Sequence, residues 1–274
     1  MSKQKAPLTK RITRLCRMAC WLFRTGRDLR NVKSDDAAGR EQVLIRLGSG
    51  ALTAMDIRLE IGAPPRMLQG TGALVAANHI SWLDIFAISA VYPSSFIAKK
   101  EISGWPILGK MGRNAGTVFI NRDSRRDIEP AKQAVNDALR HGLNVSFFPE
   151  ARTSLGIDVL PFKAALFQAA IDSNVPIQSI ALRYYDHTGQ RTTTASYAGK
   201  TNLFRSLWRI VSMPGLCIRI DFDAPLMPEQ YPGADRFQLK EISENFVRSK
   251  VMTDSPVAHT HTDTSPQQTN PIKF

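Results

Sequence analysis

The run Asn78-His79-Ile80-Ser81-Trp82-Leu83-Asp84 sets an imidazole five residues ahead of a carboxylate. An ionised Asp84 that holds one ring nitrogen of His79 as N–H leaves the other nitrogen as a base. Unperturbed imidazole titrates near about 6.5, so such a dyad can take a proton from a hydroxyl near neutral pH. That step accelerates a reaction by about 10²- to 10⁴-fold. The plainer alternative is that Asp84 only caps a helix and His79 only fills a polar gap. Ser81 is the weaker nucleophile candidate, because no G-x-S-x-G elbow surrounds it.

Both side chains on one helix would point about 140° apart, so the pair requires His79 to lie on the turn before the helix begins. Ser81-Trp82-Leu83-Asp84 supplies a capping-box pattern that starts a helix at Trp82 with Asp84 in its first turn. There the free amides and the helix dipole favour a charged carboxylate. The preceding apolar run, Ala73 to Ala77, reads as a strand, and active sites of α/β domains gather at such strand-to-helix junctions.

The wider pattern agrees. Strands are expected over Ala73 to Ala77, Ser95 to Lys99, Thr117 to Ile120, Asn144 to Phe148, Pro176 to Tyr184 and Leu216 to Phe222. Helices are expected over Trp82 to Val91, Pro106 to Asn114, Asp127 to Arg140, Phe162 to Asp172, Leu203 to Ser212 and Asp235 to Val251. The alternation predicts an α/β domain with a largely parallel central sheet flanked by helices. An earlier helical pattern, Val43, Leu44, Leu47, Ala51 and Met55, runs toward Gly62-Ala63-Pro64-Pro65, which ends it. The expected organisation is a helical membrane-docking segment over residues 1–60, a catalytic domain over 61–252 and a disordered tail over 253–274.

The 274 residues carry 36 Lys and Arg against 24 Asp and Glu, a formal charge of +12, with 43% hydrophobic residues. This excludes a disordered polymer and a polytopic membrane protein. Cys16, Cys20 and Cys217 make neither a disulfide framework nor a zinc site, and they fit a reducing compartment. No apolar run approaches the roughly 20 residues that span a bilayer, and no signal peptide is read. His259, His261 and Asp263 could catch a metal adventitiously, but no functional metal site is expected.

Charge gathers at the start. The first thirty residues hold nine cations, Lys3, Lys5, Lys10, Arg11, Arg14, Arg17, Arg24, Arg27 and Arg30, against Asp28 alone. On a helical wheel Ile12, Leu15, Cys16, Ala19, Leu22 and Phe23 form one apolar stripe, while Arg14, Arg17, Trp21 and Arg24 line another face. Two readings stand: a helix docked by its stripe with a solvated basic back, and an interfacial helix on anionic lipid with Trp21 at the boundary. No nucleic-acid motif accompanies the charge, so no nucleic-acid partner is expected.

A second basic group, Lys99, Lys100, Lys110, Arg113, Arg122, Arg125 and Arg126, suits an acidic protein or phosphate-bearing partner. Gly104-Trp105-Pro106-Ile107-Leu108-Gly109-Lys110-Met111 satisfies G-x4-G-K but lacks the following Ser or Thr, so nucleotide binding is not expected. Its apolar residues suit a hydrophobic wall or ordinary packing.

At these residues the chain resembles the glycerolipid acyltransferases of the 1-acylglycerol-3-phosphate type, which carry N-H-x4-D. Gly116-Thr117-Val118-Phe119-Ile120-Asn121-Arg122 is similar to the family's second block and Phe148-Pro149-Glu150-Ala151-Arg152-Thr153-Ser154 to its third, F-P-E-G-T-R/T-S. Leu160-Pro161-Phe162-Lys163 matches the P-F-K segment, and Val175-Pro176-Ile177 resembles the fourth block. The resemblance implies transfer of a fatty acyl group from acyl-carrier protein or coenzyme A to a lysolipid hydroxyl. His79 would be the base and Asp84 its orienter, with no covalent acyl-enzyme and no cofactor.

The resemblance further implies substrate contacts at Arg122, Glu150, Arg152, Thr153 and Lys163; backbone amides near the same turn are expected to stabilise the oxyanion. In the third block Ala151 stands where the family has Gly, and Arg152 precedes the position often taken by Arg. That Arg is associated with the acceptor's phosphate, so a lyso-ornithine lipid stands beside lysophosphatidic acid as acceptor. About fifteen methylenes at ~0.8 kcal/mol each hold such an acceptor in its bilayer, so the enzyme must go to the membrane. The expected place is peripheral, on the cytoplasmic face. The rival class is a non-catalytic basic membrane- or nucleic-acid-binding protein on a degenerate scaffold of this kind.

Overall fold

The computed structural model describes residues 5–31, 37–65, 71–105, 108–120 and 125–256. Two helices lead, α1 (Leu8–Asn31) and α2 (Ala37–Ala54), followed by strand β1 (Ile57–Ile61). Then come β2 (Leu74–Ala77), α3 (Leu83–Val91), β3 (Ser95–Lys99), α4 (Lys100–Ser103), α5 (Leu108–Asn114) and β4 (Val118–Ile120). The chain continues through α6 (Arg125–Arg140), β5 (Val145–Phe147), α7 (Gln168–Ser173), β6 (Ile177–Asp186), α8 (Leu203–Val211), β7 (Leu216–Phe222) and α9 (Arg236–Met252).

The strands form one seven-stranded sheet in the order β1-β7-β6-β2-β5-β3-β4. Every neighbouring pair is parallel except β6 with β7, where Leu182 faces Ile220. The central strand β2 is buried on both sides, so it reads as a continuous apolar run. Val75 and Ala77 join the core under α2, α3 and α8, while Leu74 and Ala76 join the core under α6, α7 and α9. Gly48 allows α2 to lie directly on α3, since a Cβ there would fall 2.4 Å from the Phe86 carbonyl oxygen.

Strand β1 is not anticipated by the sequence reading, although Ile57, Leu59 and Ile61 alternate with Arg58 and Glu60 at the strand period. Asp56, in the left-handed region at φ 54°, breaks the helical pattern before it reaches Gly62. The strand pairs with β7, so the sheet begins ahead of the expected boundary at residue 60. The helix expected over Phe162 to Asp172 is shorter, a 3-10 turn over Ala165–Phe167 leading into α7. At the other end Asp254 accepts from Tyr185 Oη at 2.5 Å and pairs with Arg183 and Arg191, and Ser255 is buried. Asp254 and Ser255 are therefore held against the domain, and the rest of the expected tail beyond residue 256, with His259, His261 and Asp263, lies outside the described residues.

The face on which α1 docks differs from the hydrophobic wheel. Arg14 is 1% exposed. Its Nη1 donates to the carbonyls of Val211 at 2.8 Å and Met213 at 2.7 Å, and its Nε to Asp56 at 3.1 Å. A guanidinium fork satisfies the free carbonyls at the end of α8 as no apolar side chain can. Trp21 also turns inward, edge-on to Phe86 and donating to the Leu47 carbonyl at 3.1 Å. Leu15 and Leu22 pack beside it, whereas Ile12, Cys16, Ala19 and Phe23 of the same expected stripe face outward, Phe23 at 76% exposure. Among the described residues no helix is long and apolar enough to cross a membrane.

Candidate active site

Strand β2 ends at the carboxyl edge of the sheet, and Asn78 fixes where it ends. Its side chain donates to the Leu182 carbonyl at 3.0 Å and accepts from the Leu182 N–H at 2.8 Å, continuing the ladder to β6 with an amide group. The next three residues form the turn that enters α3. Helix α3 starts at Leu83 and only half of the expected box forms. Asp84 reaches back to the Ser81 N–H at 2.8 Å, while the Asp84 N–H meets the Ser81 carbonyl rather than its hydroxyl.

His79 Nδ1 lies 2.8 Å from Asp84 Oδ2, the arrangement expected from the spacing. A carboxylate only accepts, so Nδ1 carries the proton and Nε2 holds the lone pair. Nε2 has no protein partner among the described residues, and the side chain is 20% exposed. The ring stacks on Phe148 with centroids 3.9 Å apart and planes 8° apart, which fixes the direction of the lone pair. Asp84 is fully buried and faces four donors: His79 Nδ1, the N–H groups of Ile80 at 2.7 Å and Ser81, and Tyr184 Oη at 2.5 Å on its other oxygen. Burial and the adjacent carboxylate push the Tyr184 hydroxyl well above its ordinary range, so it remains a donor.

Glu150 is buried, and its two oxygens accept from backbone, Oε1 from the His79 N–H at 2.5 Å and Oε2 from the Leu160 N–H at 3.0 Å. It shapes an acceptor site only through the backbone it holds. Burial pushes its carboxyl up to about 7; the two amides pull the other way and the Asp84 charge adds to the rise. The carbonyls of the turn are paired as well: His79 with the Ser154 N–H at 2.7 Å, Ile80 with the Tyr197 N–H at 2.8 Å and Ser81 with the Asp84 N–H. All six backbone groups of residues 79–81 therefore have partners. The N–H groups of residues 79–81 are thus engaged, which leaves an oxyanion to other amides near the turn.

The third block lies against this turn. Ala151 takes the left-handed conformation at φ 61°, which explains why a Gly is at home in that position. Arg152 is exposed and Thr153 half-buried, and the exposed Lys163 is brought beside the block by its N–H bond to the Pro149 carbonyl at 3.0 Å. No described hydrogen bond or ion pair holds the Arg152 or Lys163 side chain, so both cations are open to an anion. Arg122 lies outside the described residues. Phe148 as a ring platform, Asn78 as a staple and Tyr184 as a donor to Asp84 are additions to the expected set. Among the described residues no group of three or more His, Cys, Asp and Glu is placed to hold a metal.

This arrangement can deprotonate a hydroxyl placed at Nε2 and carry the resulting imidazolium on Asp84. Comparison with known proteins bears on which hydroxyl. The Acyltransferase family's sequence profile matches residues 58–183. Over 94% of this chain and the full length of the relative, the sequence is 55% identical to the 1-acyl-sn-glycerol-3-phosphate acyltransferase of Neisseria meningitidis serogroup B. It is 32% identical to the lyso-ornithine lipid O-acyltransferase of Pseudomonas aeruginosa over 64% of this chain and 66% of that one. The fold resembles the crystal structure of the Thermotoga maritima 1-acyl-sn-glycerophosphate acyltransferase, with a TM-score of 0.68 at 21% identity over 89% of this chain and 94% of that chain.

Proposed function

The chain belongs to the acyltransferase family and is an enzyme of lysolipid acylation, and on that premise we propose that it esterifies the free hydroxyl of 1-acyl-sn-glycerol-3-phosphate. Support for this acceptor over a lyso-ornithine lipid is the 55% identity across a whole relative, against 32% across part of one. Arg152 and Lys163, exposed and unheld beside the catalytic turn, suit its phosphate. The donor is a fatty acyl thioester of acyl-carrier protein or coenzyme A.

His79 Nε2 takes the acceptor's hydroxyl proton as that oxygen attacks the thioester carbonyl carbon. The tetrahedral intermediate collapses with cleavage of the C–S bond, and the departing thiolate takes the proton back from the imidazolium. Asp84 holds Nδ1–H throughout and balances the transient charge. Acceptor, donor and His79 supply every group that reacts, so no cofactor enters. The observation that carries the reading is the 2.8 Å contact between His79 Nδ1 and Asp84, which leaves Nε2 free on a partly open ring.

The outward stripe of Ile12, Cys16, Ala19 and Phe23 favours the interfacial role of α1, with the enzyme held peripherally on the cytoplasmic face of a membrane. Purified protein given an acyl thioester should acylate 1-acyl-sn-glycerol-3-phosphate in preference to a lyso-ornithine lipid. Folded His79→Ala should lose about 10²- to 10⁴-fold in rate. Near wild-type turnover by that variant would remove the base assignment, and preference for the ornithine lipid would remove the acceptor.

A further inference from the structure

Helix α8 presents two unlike faces. Ser206, Ile210 and Val211 are buried against the sheet, whereas Phe204 is 84% exposed and Trp208 47% exposed, with Arg205 between them at the surface. The helix is well formed, since Asn202 Oδ1 accepts from the Arg205 N–H at 2.8 Å. Its outer rings therefore stand in water on a rigid element. An exposed Phe and Trp four residues apart are one turn from each other and make a single apolar patch.

That patch continues onto α1. The Arg11 guanidinium lies 5.7 Å from the Trp208 ring centroid, the Ala6 N–H meets the Ser212 carbonyl at 2.8 Å, and Arg14 clamps the end of α8. Leu8 and Ile12 of α1 are exposed, with Lys10 and Arg11 beside them. Helix α8 holds no acidic residue, and α1 holds only Asp28. Apolar rings among cations, with Trp at the edge, match the headgroup layer of an anionic bilayer. An acidic carrier protein would match the cations but leaves the 84%-exposed Phe204 unexplained. The other face of α8 is bonded to the catalytic turn: Trp82 Nε1 donates to Ser206 Oγ at 3.1 Å, and Arg209 donates to the carbonyl of Ser196, next to the residue that pairs with Ile80.

We infer that α8 is a second lipid-inserting element, in which Phe204 and Trp208 enter an anionic bilayer beside α1 and hold the catalytic turn at the membrane surface. This rests on the reading of the chain as a membrane-surface lysolipid acyltransferase. The test measures partitioning of the full-length protein onto vesicles of phosphatidylglycerol and phosphatidylcholine. The Phe204→Ala, Trp208→Ala double variant should partition about a hundredfold less than wild type, the loss expected from withdrawing two rings. Phe204→Asp puts a carboxylate at an exposed place in the first turn of a helix, where the dipole favours it, and should also weaken binding. Turnover of detergent-dispersed lysolipid should be unchanged in both.

Equal partitioning of wild type and both variants would overturn the role of α8 while leaving the membrane reading in place. Equal partitioning with lost affinity for acyl-carrier protein would assign the surface to the carrier and equally overturn it. Failure of the wild-type protein itself to bind these vesicles would instead overturn the membrane reading.

Discussion

Tyr184 and Asp84 are one hundred residues apart in the chain and 2.5 Å apart in space, the phenol donating to the carboxylate oxygen that the imidazole leaves open. The tyrosine is delivered by β6, the strand on which Asn78 also fastens the end of β2. The sheet thus aligns His79, Asp84 and the hydroxyl that steadies Asp84.

Tyr184→Phe keeps the ring and removes one donor from Asp84. The carboxylate is then held by three donors instead of four, so the imidazole it orients is less firmly fixed. We expect kcat/KM to fall about tenfold through kcat, with stability lower by about 1.5–3 kcal/mol. Lowered stability with kcat unchanged would mean that the hydroxyl serves only the fold.

Glu150 makes stability depend on pH in an unusual direction. Its folded-state pKa of about 7 lies above the ordinary 4.5, so between those values the folded protein binds more protons than the unfolded chain. Stability from this group is fully present below about 4.5 and is lost as pH rises to about 7, a change of about 3 kcal/mol. Asp56, Glu244 and Asp254, whose carboxyls are held low, act below this window and in the opposite sense. Urea unfolding at pH 5 and pH 8 should show that loss in wild type and not in Glu150→Gln. Parallel profiles for the two proteins would dismiss the burial argument.

Ala151 carries backbone strain. Asp56 and Asn174, the other two non-glycine residues at positive φ among those described, are of types that tolerate that region, but alanine is not. Ala151→Gly should raise the urea midpoint by an amount worth up to about 1 kcal/mol, after the extra freedom glycine gives the unfolded chain is set against the relieved strain. An unchanged or lower midpoint would mean that the turn is relaxed as it stands.

Arg14→Leu strands two carbonyls at the end of α8, while Asp56 keeps Arg17 at 2.5 Å. The expected cost is about 2–4 kcal/mol in chemical unfolding. Arg14→Lys should recover little, because one ammonium cannot reach two carbonyls and a carboxylate as a fork does. Wild-type stability of the leucine variant would show that α1 is held by its apolar contacts alone.

What could be read from the sequence was local. Apolar runs bounded by turn residues mark six of the strands, and a histidine just ahead of a capping aspartate marks the dyad, because both signals lie within a few neighbours. Strand β1 carried its period-two pattern but sat behind a helical one, and only the left-handed Asp56 separates them. Tyr184 looks like any aromatic in a buried strand until the sheet brings it to Asp84. Glu150 looks like a ligand-binding acid until its oxygens are seen on the amides of His79 and Leu160. The face of α1 misleads a hydrophobic wheel for a related reason: Arg14 is drawn inward by carbonyls almost two hundred residues away.

That same guanidinium couples two motions that could otherwise be separate. With α1 fastened to the end of α8, and α8 in turn bonded to Trp82 at the mouth of α3, a helix lying in lipid as proposed would not tilt without carrying the imidazole with it. On that reading the height of His79 above the headgroups would be a fixed dimension of the folded chain, and a lysolipid would need to rise only far enough to bring its hydroxyl to that level.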